Sequence, residues 1–148
     1  MRRCPLVFLS CLLLVQAPTA HGAEQSADGV IAYRQNVMRA LGGHMGAMAL
    51  ILKGEVGAAK DLRVHADSVI GLAGLVPSLF PLGSDSGRTN ALPEIWLEPA
   101  RFQQRVSELR RAVDGFRRGV GGSRREFARG FQGLAAACKD CHDGYKSE

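Results

Sequence analysis

Apolar residues recur along this chain at intervals of three and four, the period that lines one face of an α-helix. Ile31, Met38, Leu41, Met45, Met48 and Leu52 form a first stripe, and Leu62, His65, Val69, Leu72 and Val76 a second. A third runs through Phe102, Val106, Leu109, Val113, Phe116 and Val120, with Arg105, Glu108, Arg110, Arg111, Arg117 and Arg118 between its members. Phe127, Phe131, Leu134, Cys138, Cys141 and Tyr145 make the fourth. Four such stripes predict amphipathic helices that bury their apolar faces against one another, an all-α fold built as an antiparallel four-helix bundle.

The breaks fall where backbone chemistry favours them. Gly54 and Gly57 separate the first two stripes, and Gly119, Gly121 and Gly122 the last two. Connections this short predict antiparallel neighbours. The middle connection, Pro77 to Pro99, is longer and rich in proline, with a Gly83-Ser84-Asp85-Ser86-Gly87 centre that cannot continue a helix. Its Leu79, Phe80, Leu92, Ile95 and Trp96 are expected to pack back onto the bundle.

The segment before the first stripe follows a different rule. Arg2 and Arg3 precede an apolar run from Pro5 to Val15 and then a small-residue stretch from Ala17 to Ala23, the order of a secretory signal. A membrane-spanning helix needs about 20 apolar residues, more than this run supplies. Residues 1–23 are therefore the expected signal peptide, cleaved after Gly22 or Ala23, and residues 24–148 the expected mature domain, exported to the periplasm.

Of the 148 residues, 46% are hydrophobic and 22% charged, which excludes a disordered chain. Removing the leader lowers the formal charge from +5 to +3. Basic and acidic residues alternate along the helices, and no aromatic residues interleave with a basic stripe, so nucleic acid is not an expected partner. The leader also holds Cys4 and Cys11, which leaves Cys138 and Cys141 as the mature cysteines.

These two belong to the run Cys138-Lys139-Asp140-Cys141-His142. C-x-x-C-H is the attachment motif of c-type haem, in which the cysteines form thioethers with the vinyl groups and the histidine ligates the iron. Cysteines three apart share a helix face, and the next residue is turned by about 100°, which brings its imidazole beneath a porphyrin held by the thioethers. An exported compartment would otherwise oxidise such a pair. A structural zinc site would need Cys138, Cys141 and His142 to recruit His44 or His65 as a fourth ligand. A thioredoxin-like pair would need a strand before the motif, and no strand pattern precedes it.

A second axial ligand has to come from upstream, because none of the six residues after His142 is a methionine or histidine. The candidates are Met38, Met45, Met48, His44 and His65. Periodicity does not choose among them: methionines on an apolar stripe are also flexible core filler.

The chain resembles class II cytochromes c, the family of cytochrome c′ and its low-spin relatives. The resemblance rests on Tyr33-Arg34-Gln35-Asn36-Val37-Met38, Lys53-Gly54-Glu55, Leu92-Pro93-Glu94-Ile95-Trp96 and Cys138-Lys139-Asp140-Cys141-His142-Asp143-Gly144-Tyr145, and spans essentially the whole mature domain. It implies one haem c per chain, joined through Cys138 and Cys141, with His142 as proximal ligand and Met38 over the opposite face. It also implies that Arg34 and Gln35 lie near the haem edge, with Arg34 pairing with a propionate.

Family members divide at Met38. In the low-spin members a methionine there ligates the iron and the protein carries electrons, whereas in cytochrome c′ that position shields a five-coordinate, high-spin iron that binds nitric oxide or carbon monoxide. The Leu79-Phe80-Pro81-Leu82-Gly83-Ser84 segment resembles the low-spin members, while Lys146 stands where many cytochromes c′ have an arginine. The expected function is thus a periplasmic one-electron carrier with Met38 and His142 both on the iron; the alternative is the high-spin gas binder. No acid/base pair or nucleophile marks an enzyme. Expected partners are redox proteins, a small gas in the alternative, and, by resemblance, a second copy of the chain, for which Val37, Ala47, Leu50 and Ile51 are the candidate apolar patch. No membrane span is expected in the mature chain.

Overall fold

A computed structural model describes residues 26–148; the expected signal peptide, with Cys4 and Cys11, lies outside the described residues. The helices are α1 (Ala27–Lys53), α2 (Leu62–Ala73), α3 (Glu94–Leu97), α4 (Pro99–Gly119) and α5 (Arg124–Tyr145). The four long ones carry the four stripes. α3 and two 3-10 turns, Ala59–Asp61 and Val76–Ser78, add short helical pieces between the long helices. Pro93, at φ −62°, is already in the helical region and starts α3.

Local chemistry sets the helix ends. The Ser26 hydroxyl accepts the Gly29 N–H at 3.1 Å at the start of α1. Gly54 ends α1 at φ 83°, a left-handed turn that lets its own N–H and that of Glu55 return to the carbonyls of Ile51 and Leu50. A capping box opens α5: the Ser123 hydroxyl accepts the Glu126 N–H at 3.3 Å and the Glu126 carboxylate accepts the Ser123 N–H at 2.7 Å. Replacing Ser123 with alanine is expected to cost about 1 kcal/mol in thermal or chemical denaturation. The Ser123 hydrogen bonds hold the Glu126 carboxyl below its ordinary value. Its share of the box is therefore present above the carboxylate range and is lost as the pH falls through that lowered value.

The core draws on every layer of the bundle. Met48 of α1, Val69 of α2, Leu79 of the middle connection, Phe116 of α4 and Leu134 of α5 are all at most 1% exposed. A second cluster of Ile95, Phe102, Val106 and Tyr145 closes the end where the connection crosses, and Phe80 packs against both clusters. α4 and α5 cross so closely that a Cβ on Gly130 would stand 2.9 Å from Phe116 Cα. Gly130→Ala is expected to lower stability by about 1–3 kcal/mol in equilibrium unfolding, because the opposing atom is backbone and cannot swing away.

Neighbouring helices pair as α1 with α2 and α4 with α5, and α2 packs on α4, whereas α1 and α5 approach each other far less closely. One side chain ties these two at one end: Arg124 Nη2 donates to the carbonyls of Ile51 at 3.2 Å and Leu52 at 2.8 Å, in the last turn of α1. The other half of the α1–α5 seam is open: the two helices barely touch there, and Met38, Leu41, Met45 and Phe131 along it stay only partly buried.

The expected dimer patch needs correction. Val37 and Ile51 share a helix face with Met48, and at 6% and 4% exposed they are core residues. Ala47 is half-buried, and only Leu50 of the four is exposed. No helix among the described residues is long and apolar enough to cross a membrane.

Candidate functional site

The last two turns of α5 bring the C-x-x-C-H residues to the open seam. Cys138 packs against the main core and Cys141 against the second cluster; both are half-buried free thiols. Burial pushes both thiols above their ordinary value. They are accordingly protonated at neutral pH, as addition of S–H across a carbon–carbon double bond requires. His142 follows on the exposed flank, where partial desolvation, aided by Lys146, lowers its value and favours the neutral imidazole whose lone pair can ligate a metal.

The chain beyond His142 is held in place. Tyr145 accepts the Leu92 N–H at 3.0 Å and Asn90 accepts the Ser147 N–H at 2.9 Å, around an antiparallel bridge between Ala91 and Lys146. The Tyr145 ring meets Phe102 edge-on at 5.3 Å. Its hydroxyl is buried with no hydrogen-bond partner. Lys139 and Asp143 pair on the outer face.

Across the seam stands Met38. It lies fourteen residues before Leu52, and Cys138 lies fourteen after Arg124. From the Arg124 tie, both are about 21 Å along antiparallel helices at 1.5 Å per residue, and so at the same level to within the reach of the arginine side chain. Met38, Leu41 and Met45 on α1 and Phe131 on α5 are only partly buried, packed on the main core with an uncovered side.

The other axial candidates are differently engaged. Met48 is 0% exposed, locked in the core. His44 and His65 face each other between α1 and α2, with their Nδ1 atoms 2.9 Å apart. Among the described residues no three His, Cys, Asp or Glu side chains converge as a metal site, so the zinc arrangement has no geometric basis.

Arg34, one turn before Met38, is 3% exposed. Its Nη1 donates to Leu79 O at 3.3 Å and Ser84 Oγ at 3.0 Å, and its Nη2 to Ser84 O at 3.0 Å and Thr89 Oγ1 at 2.8 Å. Phe80 and Trp96 face the guanidinium at 5.0 and 5.6 Å. Gln35 Nε2 donates to Arg88 O at 2.8 Å. Both residues therefore grip the middle connection, a role the sequence reading missed; the only signal for it was that Arg34 falls in step with Ile31 and Met38 on the apolar stripe. The Arg34 charge has no carboxylate partner among the described residues, and desolvation lowers its pKa.

These residues fit a haem c. Two protonated thiols and a neutral imidazole sit in the attachment spacing on one wall of an apolar seam. Near it are a buried hydroxyl without a partner and a buried cation without an anion, the complements of a group that carries carboxylate tails.

Comparison with known proteins identifies the family and its cofactor. Residues 29–146 match the family described as Cytochrome C'. Cytochrome c-556 of Agrobacterium tumefaciens (strain B2A) is 31% identical over 119 residues, which cover 80% of this chain and 97% of that protein. The structure of cytochrome c prime from Shewanella frigidimarina is 27% identical, with a TM-score of 0.78 over 84% of this chain and 99% of that one. A ferrous variant of cytochrome c prime from Alcaligenes xylosoxidans with bound NO is 25% identical, with a TM-score of 0.76 over 84% of this chain and 98% of that one. The match in sequence and in bundle architecture, over nearly all of the described residues, means that the chain belongs to the cytochrome c′ family and carries covalently attached haem c.

Proposed function

We propose that this protein is a periplasmic one-electron carrier, in which Cys138 and Cys141 hold the haem c and His142 and Met38 are its two axial ligands. The observation that carries this reading is the common level of Met38 and Cys138 on facing walls of the α1–α5 seam. The bound group supplies a one-electron Fe(III)/Fe(II) couple. Met38 offers a thioether, which opposite a histidine raises the reduction potential and favours coordination that persists in both oxidation states. Leu41, Met45 and Phe131 give the seam an apolar lining. Arg34 holds a positive charge one turn from Met38, where it can attract a propionate while its other donors hold the connection. No acid/base pair or nucleophile accompanies these residues, so the reading is carriage rather than turnover. Redox proteins are the partners; at a formal mature charge of +3, electrostatic steering towards them is weak.

A second reading, a high-spin protein that binds nitric oxide, is favoured by the Alcaligenes xylosoxidans structure with bound NO. Absorption spectra of the purified ferric and ferrous protein separate the two. A methionine-to-iron charge-transfer band at the red end supports the carrier, and a high-spin spectrum rejects it. Attachment has its own check: replacing both Cys138 and Cys141 with serine is expected to abolish haem staining of the denatured chain, whereas staining of the unaltered chain survives denaturation.

A further inference from the structure

His44 and His65 lie on the α1–α2 seam, on a different flank of α1 from Met38, and the electron-carrying function makes no use of them. Their Nδ1 atoms are 2.9 Å apart, and the rings tilt by 57° with centroids 5.2 Å apart. Both residues are half-buried, with one edge of the seam open to solvent. In the hydrogen-bonded pair one Nδ1 carries a proton and the other offers its lone pair. Transfer of that proton to the outer Nε2 of the same ring frees both Nδ1 lone pairs on the facing edges.

The spacing is set by this hydrogen bond, and it also suits a shared metal ion. Metal–imidazole bonds are about 2.0–2.1 Å long, so two of them at a right angle span about 2.9 Å, and two at the tetrahedral angle about 3.3 Å. The observed separation matches the right-angle edge of tetragonal Cu(II), so both rings can hold one Cu2+ ion with little movement. Cu2+ also binds nitrogen donors more strongly than the other divalent first-row ions. We propose that His44 and His65 are the protein ligands of a Cu2+ site, a second metal centre separate from the haem. No third His, Cys, Asp or Glu converges there among the described residues, so water fills the remaining positions at the open edge.

The sequence makes the test clean. The chain has four histidines, of which His21 lies in the leader and His142 in the haem motif, so His44 and His65 are the imidazoles left to bind added metal in the mature holoprotein. Ferric holoprotein is titrated with CuSO4, and separately with ZnSO4, by calorimetry, and the copper complex is read by electron paramagnetic resonance. The expected result is one saturable equivalent of Cu2+, with superhyperfine coupling to two nitrogens, and Zn2+ at least tenfold weaker. His44→Gln and His65→Gln should each weaken Cu2+ binding tenfold or more while the haem absorption spectrum stays unchanged. Absence of saturable binding, full-strength binding in either variant, or coupling to fewer than two nitrogens would overturn the proposal. The nitrogen coupling is read on the unaltered protein, so a variant that folds poorly does not shield the proposal from failure.

Discussion

Met38→Ala is expected to convert a six-coordinate, low-spin iron into a five-coordinate, high-spin one. Alanine has no donor atom, and the remaining candidates cannot replace it: Met48 is sealed in the core, and His44 and His65 are engaged with each other. Met45 is the informative control. It lies seven residues further along α1, about 10 Å from the Met38 level, so Met45→Ala should leave the spectrum unaltered. Loss of the thioether should also lower the reduction potential by on the order of a tenth of a volt, within the roughly 0.8 V range that axial ligands command. The same substitution should let carbon monoxide or nitric oxide reach the ferrous iron without displacing a protein ligand. Resonance Raman spectra of both variants read the coordination number directly. An unchanged Met38→Ala spectrum would show that another residue, or none, occupies the second axial position.

Arg34→Met should have the largest effect on stability. It removes four hydrogen bonds from one buried guanidinium and strands the acceptors on Leu79, Ser84 and Thr89. Bonds to charged donors are worth more than neutral ones, but the substitution also relieves the cost of burying a cation. The net expectation is a loss of about 3 kcal/mol in equilibrium unfolding of the holoprotein. Trp96 is the chain's one tryptophan, bound to Pro81 O through Nε1 at 3.0 Å, and it reports on the same segment. Its emission should rise in Arg34→Met as the connection loosens and the quenching haem recedes. Ser84→Ala removes one of those acceptors and should reproduce a fraction of the loss.

What was legible in the sequence was whatever is encoded locally. Each stripe is a run of neighbouring residues, so the four long helices and their glycine breaks could be read directly, as could the attachment motif within five consecutive positions. The bonds of Arg34 were not legible, because its partners lie 45 to 55 residues away, on a segment whose path only the folded bundle defines. Val37 and Ile51 were misassigned to the surface for a related reason. A stripe chosen on its largest side chains gives the centre of the buried face but not its width, and α2 extends that face by covering one flank of α1. The pairing of His44 with His65 likewise depends on the register between two helices, which neither periodicity contains. Short α3 escaped because four residues are too few to show a period.

The open seam between α1 and α5 also bears on the unfolded chain. Its two walls come from the first and last helices, so with Met38 and His142 on one iron the chain is closed into a loop of about a hundred residues. By the chain-entropy relation for cross-links, closing a loop of that length favours the folded state by up to about 4.7 kcal/mol. Unlike a disulfide, this closure depends on a coordinate bond that can be exchanged. A small molecule that takes the place of Met38 on the iron therefore cuts the loop as well as occupying the site, and any exogenous ligand for this haem should act as a mild, reversible denaturant of the bundle around it.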